Sequence, residues 1–132
     1  MASNFEVRAN AYFIIGELYF LQGDADGAIQ NYMTALNINP NKALYWGYTA
    51  QILNRFDEHP YVSSRFCSKA IELDPINPRW HLLQSLILLK LVRKGHNELA
   101  HQAIAEAHKA LGLCRPDQVS LRSAILEYIN RT

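Results

Sequence analysis

Apolar positions along the chain recur at helical spacing, in blocks that begin at regular intervals. Tyr12, Trp46 and Trp80 stand 34 residues apart, and each opens a stretch in which apolar residues return every three or four positions. The ends of the blocks also resemble one another, in the segments ALNINP (35–40), AIELDP (70–75) and, more loosely, ALGLCRP (110–116). Because proline cannot continue a helix, each block ends there. The pattern predicts three units, each a helix, a turn and a second helix.

Local signals place the helix boundaries. Ser3 and Glu6 form a capping-box pattern, Asp24 is a cap for the second helix, and Asp117 is a cap for the last. The last helix, about 117–130, carries one apolar stripe made of Leu121, Ala124, Ile125, Tyr128 and Ile129. Seven helices are predicted in all. We expect the seventh to cover the third hairpin, whose apolar face would otherwise lie open.

The spacing of these residues resembles the tetratricopeptide repeat, whose pattern is an aromatic, an apolar plus a small residue, Tyr, Ala, a second aromatic and Pro. The first block matches most fully, with Tyr12, Ile15, Gly16, Tyr19, Gly23, Asp24, Ala28, Tyr32 and Pro40. The second keeps Trp46, Ala50, Leu53, Ala70 and Pro75, with DEHP (57–60) at its turn and with Ser63 and Cys67 at the usual Ala and aromatic positions. The third keeps Trp80, Leu83, Ile87, Ala103 and Ala110, with Gln84 at the small position.

The resemblance implies an all-α fold: three helix-turn-helix hairpins in a right-handed solenoid plus a C-terminal capping helix. The repeats cover about 9–42, 43–76 and 77–116. We expect a single domain over 1–132, because this length with 49% hydrophobic residues fills one core. The third hairpin spans 30 residues from Trp80 to Ala110, against 23 from Tyr12 to Ala35. The seven extra residues predict about one added turn on each of its helices.

In this family the first helix of each hairpin lines a concave surface that holds an extended or helical peptide, and the resemblance implies such a groove here. The partner-binding positions are those beside the inward-packing residues of each first helix. They are Asn10, Phe13, Glu17, Phe20 and Leu21 in the first hairpin, Gln51, Asn54 and Arg55 in the second, and His81, Ser85, Leu88 and Leu89 in the third.

The apolar members of this set have two explanations. The first helix of the third hairpin is apolar nearly all round and needs a second partner surface, supplied by the C-terminal helix, a second copy of the chain or a ligand segment. Ordinary core packing is the simpler account of its leucines. Phe13, Phe20 and Leu21 are less easily assigned to the core, because the repeat-pattern positions of their helix already form the inward face.

One subtype of the family fits poorly. Tetratricopeptide domains that clamp chaperone C-termini use Lys and Asn on the first helix, where Phe13 and Glu17 stand in this sequence. A terminal carboxylate would meet Glu17 unfavourably. The groove is more similar to those of the small tetratricopeptide chaperones of secretion systems or of cytochrome-assembly adaptors.

Composition argues against several other classes of protein. With 13 basic and 12 acidic residues the net charge is +1, too little to steer a nucleic acid, and the basic residues form no run. No secretory signal and no membrane span is predicted, so we expect a cytoplasmic protein. The two cysteines, Cys67 and Cys114, have no CxxC spacing and suit a reducing compartment better than a zinc site.

Catalysis is not expected. Glu98 and His101 form an ExxH pair with His108 further along the same helix, but the additional carboxylates of a di-iron site are missing, so we interpret them as a solvated face. Cys67 has no readable His partner for a thiolate nucleophile. No phosphate loop, nucleophile elbow or dinucleotide motif occurs, and we predict neither cofactor nor metal.

These observations lead to one main hypothesis and two alternatives. The main one is an adaptor or chaperone that binds a peptide or helix of another protein in a partly apolar groove. The first alternative is an architectural subunit that acts through self-association, as a homo-oligomer without a peptide ligand. The second alternative is a helical repeat that binds RNA.

Overall fold

The computed structural model describes residues 4–56, 60–114 and 123. Six α-helices and one short 3-10 helix lie in these ranges, and no strand does. They are α1 (Asn4–Leu21), α2 (Ala25–Ile38), α3 (Ala43–Phe56), α4 (Pro60–Leu73), α5 (Pro78–Arg93), the 3-10 helix (Asn97–Leu99) and α6 (Ala100–Leu113). The prediction of an all-α fold built from helical hairpins is confirmed.

Two compact units make up the chain, Met1–Leu73 and Asp74–Thr132. Helices α1 to α4 belong to the first unit, and α5, the 3-10 helix and α6 to the second. The single domain over 1–132 stays a prediction. The residues outside the described ranges include Ser3, the turn residues 57–59 and, apart from residue 123, the predicted capping helix 117–130 with its Asp117 cap. No helix within the described ranges is long and apolar enough to cross a membrane.

The helix ends follow their sequence signals. Asp24 caps α2 as predicted, because its side chain accepts a hydrogen bond of 2.9 Å from the backbone N–H of Gly27. Gly23 before it has a φ of 82°, which a residue without Cβ adopts at little cost. Asn77 caps α5 in the same way through the N–H of Arg79, at 3.0 Å. The turn inside the first hairpin and the start of the third hairpin are thus set by local contacts.

The third hairpin corrects one length prediction. Its extra residues lengthen α5, which has 16 residues. They also form the 3-10 helix Asn97–Leu99. Helix α6 has 14 residues, the same length as α2 and α4, so no turn is added to the second helix. The connection reverses at Gly95, whose φ is 111°.

Helices α1 and α2 approach each other where a side chain is missing. A Cβ added to Gly16 would lie 2.7 Å from Cδ1 of Tyr32 and 3.1 Å from the carbonyl oxygen of Ala28. Both Ala28 and Tyr32 are buried, so the ring of Tyr32 rests on the backbone of α1. This contact holds the first hairpin closed.

Aromatic rings then join the first hairpin to α3. Phe13 of α1 stacks on Tyr32 of α2 with ring centroids 5.1 Å apart. The same ring meets Tyr45 and Tyr48 of α3 at 5.4 Å and 5.3 Å. Further along the chain, Trp46 of α3 contacts Phe66 of α4 at 5.4 Å. Offset and edge contacts of this kind add about 0.5–1.5 kcal/mol each beyond the area they bury.

Replacing Gly16 with Ala should destabilise the first unit by about 1–3 kcal/mol, because the added methyl group forces Tyr32 or the carbonyl of Ala28 to move. Urea unfolding followed by circular dichroism measures the change. Gly112→Ala in α6 is the matched control: its Cβ would meet nothing within 4 Å, and the variant should gain up to about 1 kcal/mol from helix propensity. Equal stabilities for the two variants would contradict a close approach of α1 and α2.

Candidate functional site

A cavity of about 80 Å³ opens in the first unit where α1, α2 and α3 meet. Its lining residues are Glu17, Phe20, Tyr32, Tyr48, Gln51, Ile52 and Arg55. Four of them, Glu17, Phe20, Gln51 and Arg55, are predicted partner-binding residues from the first two hairpins. The structure therefore brings these four side chains to one place.

Helical spacing explains why they meet. On α1, Phe13, Glu17 and Phe20 are separated by four and three residues and share one face. On α3, Tyr48 and Arg55 stand seven residues apart and share a face with the positions between them. The ring cluster around Phe13 sets these two faces against each other, so the cavity follows from the packing of α1 on α3.

Glu17 is the acidic group of the cavity. The hydroxyl of Tyr32 donates a hydrogen bond to Glu17 Oε1. Burial raises the pKa of the Glu17 carboxyl above its ordinary value of 4.5. Among the residues in the described ranges, no Lys, Arg or His nitrogen lies within the 4.0 Å of an ion pair with it. Glu17 is thus a half-buried carboxylate that, among residues 4–56 and 60–114, receives a side-chain hydrogen bond from the neutral hydroxyl of Tyr32 and pairs with no cation.

Arg55 lies at the exposed side of the same cavity. Its guanidinium carbon is 5.4 Å from the ring centroid of Phe20 and 5.4 Å from that of Phe56. These distances are within the range of cation–π attraction, which holds the side chain against the two rings. The cavity accordingly combines aromatic walls, a carboxylate inside and a guanidinium at the rim, a composition that suits an amphipathic side chain of a ligand.

The other predicted residues of α1 lie elsewhere. Asn10 Oδ1 accepts hydrogen bonds from Lys42 Nζ at 2.9 Å and from the hydroxyl of Tyr45, and it lines a separate polar cavity. Phe13 is half-buried in the ring cluster. Leu21 is 79% exposed at the end of α1 and does not line the cavity. In α3, Asn54 is half-buried and is not a lining residue either.

Three of the four predicted residues of the third hairpin are buried, two of them with polar partners inside it. His81 Nδ1 is 2.7 Å from Glu106 Oε2, and His81 Nε2 is 2.7 Å from the carbonyl oxygen of Pro75. Both ring nitrogens of His81 therefore have an oxygen partner within the second unit. Ser85 donates to the carbonyl of Ala103 at 2.7 Å.

The two leucines of this set differ in burial. Leu88 is 3% exposed and packs with Leu91 and Ala103. Leu89 is half-buried and lines an apolar cavity of about 190 Å³ between α5 and α6. His81, Ser85 and Leu88 are buried inside the second unit and are not available to a ligand. The candidate site is therefore restricted to the first unit.

The candidate metal residues do not converge. Glu98, His101 and His108 are all exposed. Within residues 4–56 and 60–114, no three His, Cys, Asp or Glu side chains are grouped so as to hold a metal ion.

Tyr48 is the lining residue that the sequence analysis missed. It stands three residues before Gln51 and seven before Arg55, so the spacing that selected those two positions also points to it. Tyr32 was recognised only as a repeat-pattern aromatic, although its hydroxyl also contacts Glu17.

Residues 9–42 match the family model of the tetratricopeptide repeat. The chain carries a tetratricopeptide repeat and has the fold of that family. The TPR domain of Arabidopsis OM64 superposes with a TM-score of 0.78 at 18% identity, over 97% of this chain and 98% of that one. The TPR2B domain of yeast Sti1 in complex with an Hsp70 peptide gives 0.81 at 20% identity, over 94% of each chain.

A third tetratricopeptide structure also matches. The first TPR of Spaghetti (RPAP3), bound to the HSP90 peptide SRMEEVD, superposes with a TM-score of 0.73 at 18% identity, over 95% of this chain and 98% of that one. No curated protein matches the sequence. At these identities the superpositions establish the tetratricopeptide fold.

Replacing Glu17 with Gln should make the protein at least as stable as wild type at pH 7, because the amide keeps an acceptor for Tyr32 and removes a desolvated charge. The folded wild type binds a proton more tightly than the unfolded chain, since the Glu17 pKa is raised. Its stability relative to Glu17→Gln should therefore rise as the pH falls from 7 toward 4.5.

Urea unfolding of both proteins at several pH values measures this difference. The control is Glu72→Gln, an exposed carboxylate on α4, which should change stability by less than about 0.5 kcal/mol at any of these pH values. A Glu17→Gln variant that loses stability at pH 7 would mean that the charge of Glu17 is satisfied within the folded chain.

Proposed function

We propose that the chain is a cytoplasmic adaptor or chaperone that binds a peptide or helix of another protein, without an enzymatic step. The cavity between α1, α2 and α3 carries this proposal, because it gathers aromatic and polar side chains from two successive hairpins. Pockets that anchor partner side chains typically combine aromatic walls with a few polar groups.

The matching structures support a protein partner. Yeast Sti1 TPR2B is in complex with an Hsp70 peptide, and the first TPR of Spaghetti is bound to an HSP90 peptide. Both are tetratricopeptide domains of nearly the same extent as this chain. A peptide ligand for this chain is therefore consistent with how this fold is used in those two proteins.

Replacing Gln51 with Trp should block the cavity without unfolding the protein, because Gln51 is exposed and lines it. Peptides selected on wild type from a displayed library of random twelve-residue sequences should bind Gln51→Trp at least about tenfold more weakly, a loss of roughly 1.4 kcal/mol. Isothermal titration calorimetry measures the affinities, and thermal melting confirms that the variant is folded.

The matched control is Gln30→Trp, the same change at an exposed position of α2 that does not line the cavity. It should bind the selected peptides with wild-type affinity. Peptides that bind both variants equally well would place their site elsewhere, and a library that yields no ligand would contradict the peptide-binding function.

A different surface favours self-association as a second candidate function. One face of α1 carries apolar residues at successive steps of four, three, four and three, which is the heptad spacing of a two-stranded coiled coil. This stripe consists of Val7, Ala11, Ile14, Leu18 and Leu21. Four of its residues are more than half exposed: Val7 at 55%, Ile14 at 57%, Leu18 at 55% and Leu21 at 79%.

An exposed apolar row of this length is unusual for a monomer. The stripe carries no charge, and its heptad spacing allows two copies of the same helix to pack against each other. We therefore propose that α1 of a second copy of the chain covers this stripe.

Sedimentation equilibrium of the wild type over a range of concentrations should then show a dimer. Leu18→Glu should shift it to monomer, because the dimer would bury two carboxylates in an apolar seam. The control is Met33→Glu, which places the same charge at an exposed apolar position of α2 and should leave the dimer intact. A wild type that is monomeric at every concentration would exclude the architectural role.

A further inference from the structure

We infer that the cavity between α1, α2 and α3 selects a lysine or arginine side chain of the partner, whose cation pairs with the carboxylate of Glu17. The inference rests on the proposed function and names the chemistry of its ligand. Two features of the cavity support it: the carboxylate of Glu17 and the aromatic rings that line the walls.

Glu17 has no counter-charge within the part of the chain that the structure describes. Its carboxylate is half-buried, receives one hydrogen bond from the neutral hydroxyl of Tyr32, and has no basic partner among the described residues. Desolvating an ionised carboxylate costs free energy unless a cation or several donors compensate it. A basic group of a ligand supplies that compensation, so binding relieves a penalty that the free protein carries.

The aromatic and aliphatic walls of the cavity also suit a long basic side chain. Phe20, Tyr32, Tyr48 and Ile52 surround the carboxylate, and the rings of Tyr32 and Tyr48 lie 6.3 Å apart between centroids. Lysine and arginine have long aliphatic stems that pack on apolar surfaces while the charged head reaches a polar group. Aromatic faces also attract the cation itself. A neutral apolar side chain would fill the same walls but leave Glu17 unpaired.

Arg55 has to be weighed against this, because it is a cation in the same cavity. Its side chain is exposed and lies over the rings of Phe20 and Phe56 at the rim, more than 4 Å from the Glu17 carboxylate. Charges in contact with water are screened more strongly than half-buried ones. The attraction by Glu17 therefore outweighs the repulsion by Arg55 for a basic head inside the cavity.

The same charge disfavours acidic ligands. The HSP90 peptide bound to the first TPR of Spaghetti, SRMEEVD, carries three acidic side chains. A carboxylate placed inside the cavity of this chain would lie near the half-buried carboxylate of Glu17, and like charges in a partly desolvated site repel each other. We expect this chain to disfavour ligands that place one of these acidic side chains in the cavity.

The test begins with the displayed library of random twelve-residue peptides, with both peptide termini blocked so that no free carboxylate takes part. Wild type should enrich peptides with Lys or Arg at one fixed position. A selected peptide and its analogue with norleucine at that position are then titrated calorimetrically. Norleucine keeps the aliphatic stem and removes the cation. Its peptide should bind at least about tenfold more weakly than the lysine or arginine peptide.

Two variants test which side chain of the protein binds the ligand cation. Glu17→Gln keeps the acceptor for the Tyr32 hydroxyl and should bind the lysine peptide about tenfold more weakly, while its affinity for the norleucine peptide stays unchanged. Arg55→Gln removes the opposing charge and should bind the lysine peptide as tightly as wild type or more tightly. A purely structural role of Glu17 would weaken both peptides equally.

The outcomes distinguish a failure of the cation preference from a failure of the peptide-binding function. Peptides that are enriched without a basic position, or a preference for lysine that survives in Glu17→Gln, would overturn the inference and leave the peptide-binding function standing. A library without any enriched peptide would overturn both.

Discussion

The ring of Tyr32 occupies the space that the missing side chain of Gly16 leaves between α1 and α2, and most features of the first unit depend on that contact. With the ring on the backbone of α1, its edge and face are available to Phe13, which stacks on it and also contacts two tyrosines of α3. The hydroxyl at the end of the same ring reaches the carboxylate of Glu17. One close helix approach thus sets the packing of three helices and the position of the acidic group.

The cavity and the core are built from the same residues, and this has an energetic consequence. Glu17 is held where water is partly excluded, and burial raises its pKa because the charged form is disfavoured there. A carboxylate that served only stability would be expected to have a cation beside it or several donors around it. In the proposed function Glu17 is a binding group whose charge is compensated by a ligand, at a modest cost to the free protein.

Helix α1 has two faces with different roles. The face formed by Phe13, Gly16 and Phe20 packs against α2 and α3, while the stripe from Val7 to Leu21 is exposed. Leu21 was predicted to lie in the groove, and core packing was the simpler of the two explanations for the leucines of the third hairpin. Helix α5 has most of its apolar residues buried, including Leu83, Ile87, Leu88 and Leu91, as core packing predicts. A helix that is apolar nearly all round, as α5 is, has no pattern that says which side is covered, so sequence periodicity left both explanations open.

The sequence by itself determined the helices, their turns and the repeat, because these depend on interactions within about four residues and on caps such as Asp24. It also placed Glu17 and Phe20 on one face of α1, and Gln51 and Arg55 on one face of α3, since helical spacing fixes which side chains share a face. The packing of α1 on α3 then brought the two faces to one cavity. Only the tertiary structure decided that His81 and Ser85 turn inward to Glu106 and Ala103, and that Glu17 meets Tyr32 but no cation of residues 4–56 and 60–114. Partners of this kind come from residues 15 to 25 positions away, and their identity depends on which helix faces pack together, which local periodicity does not specify.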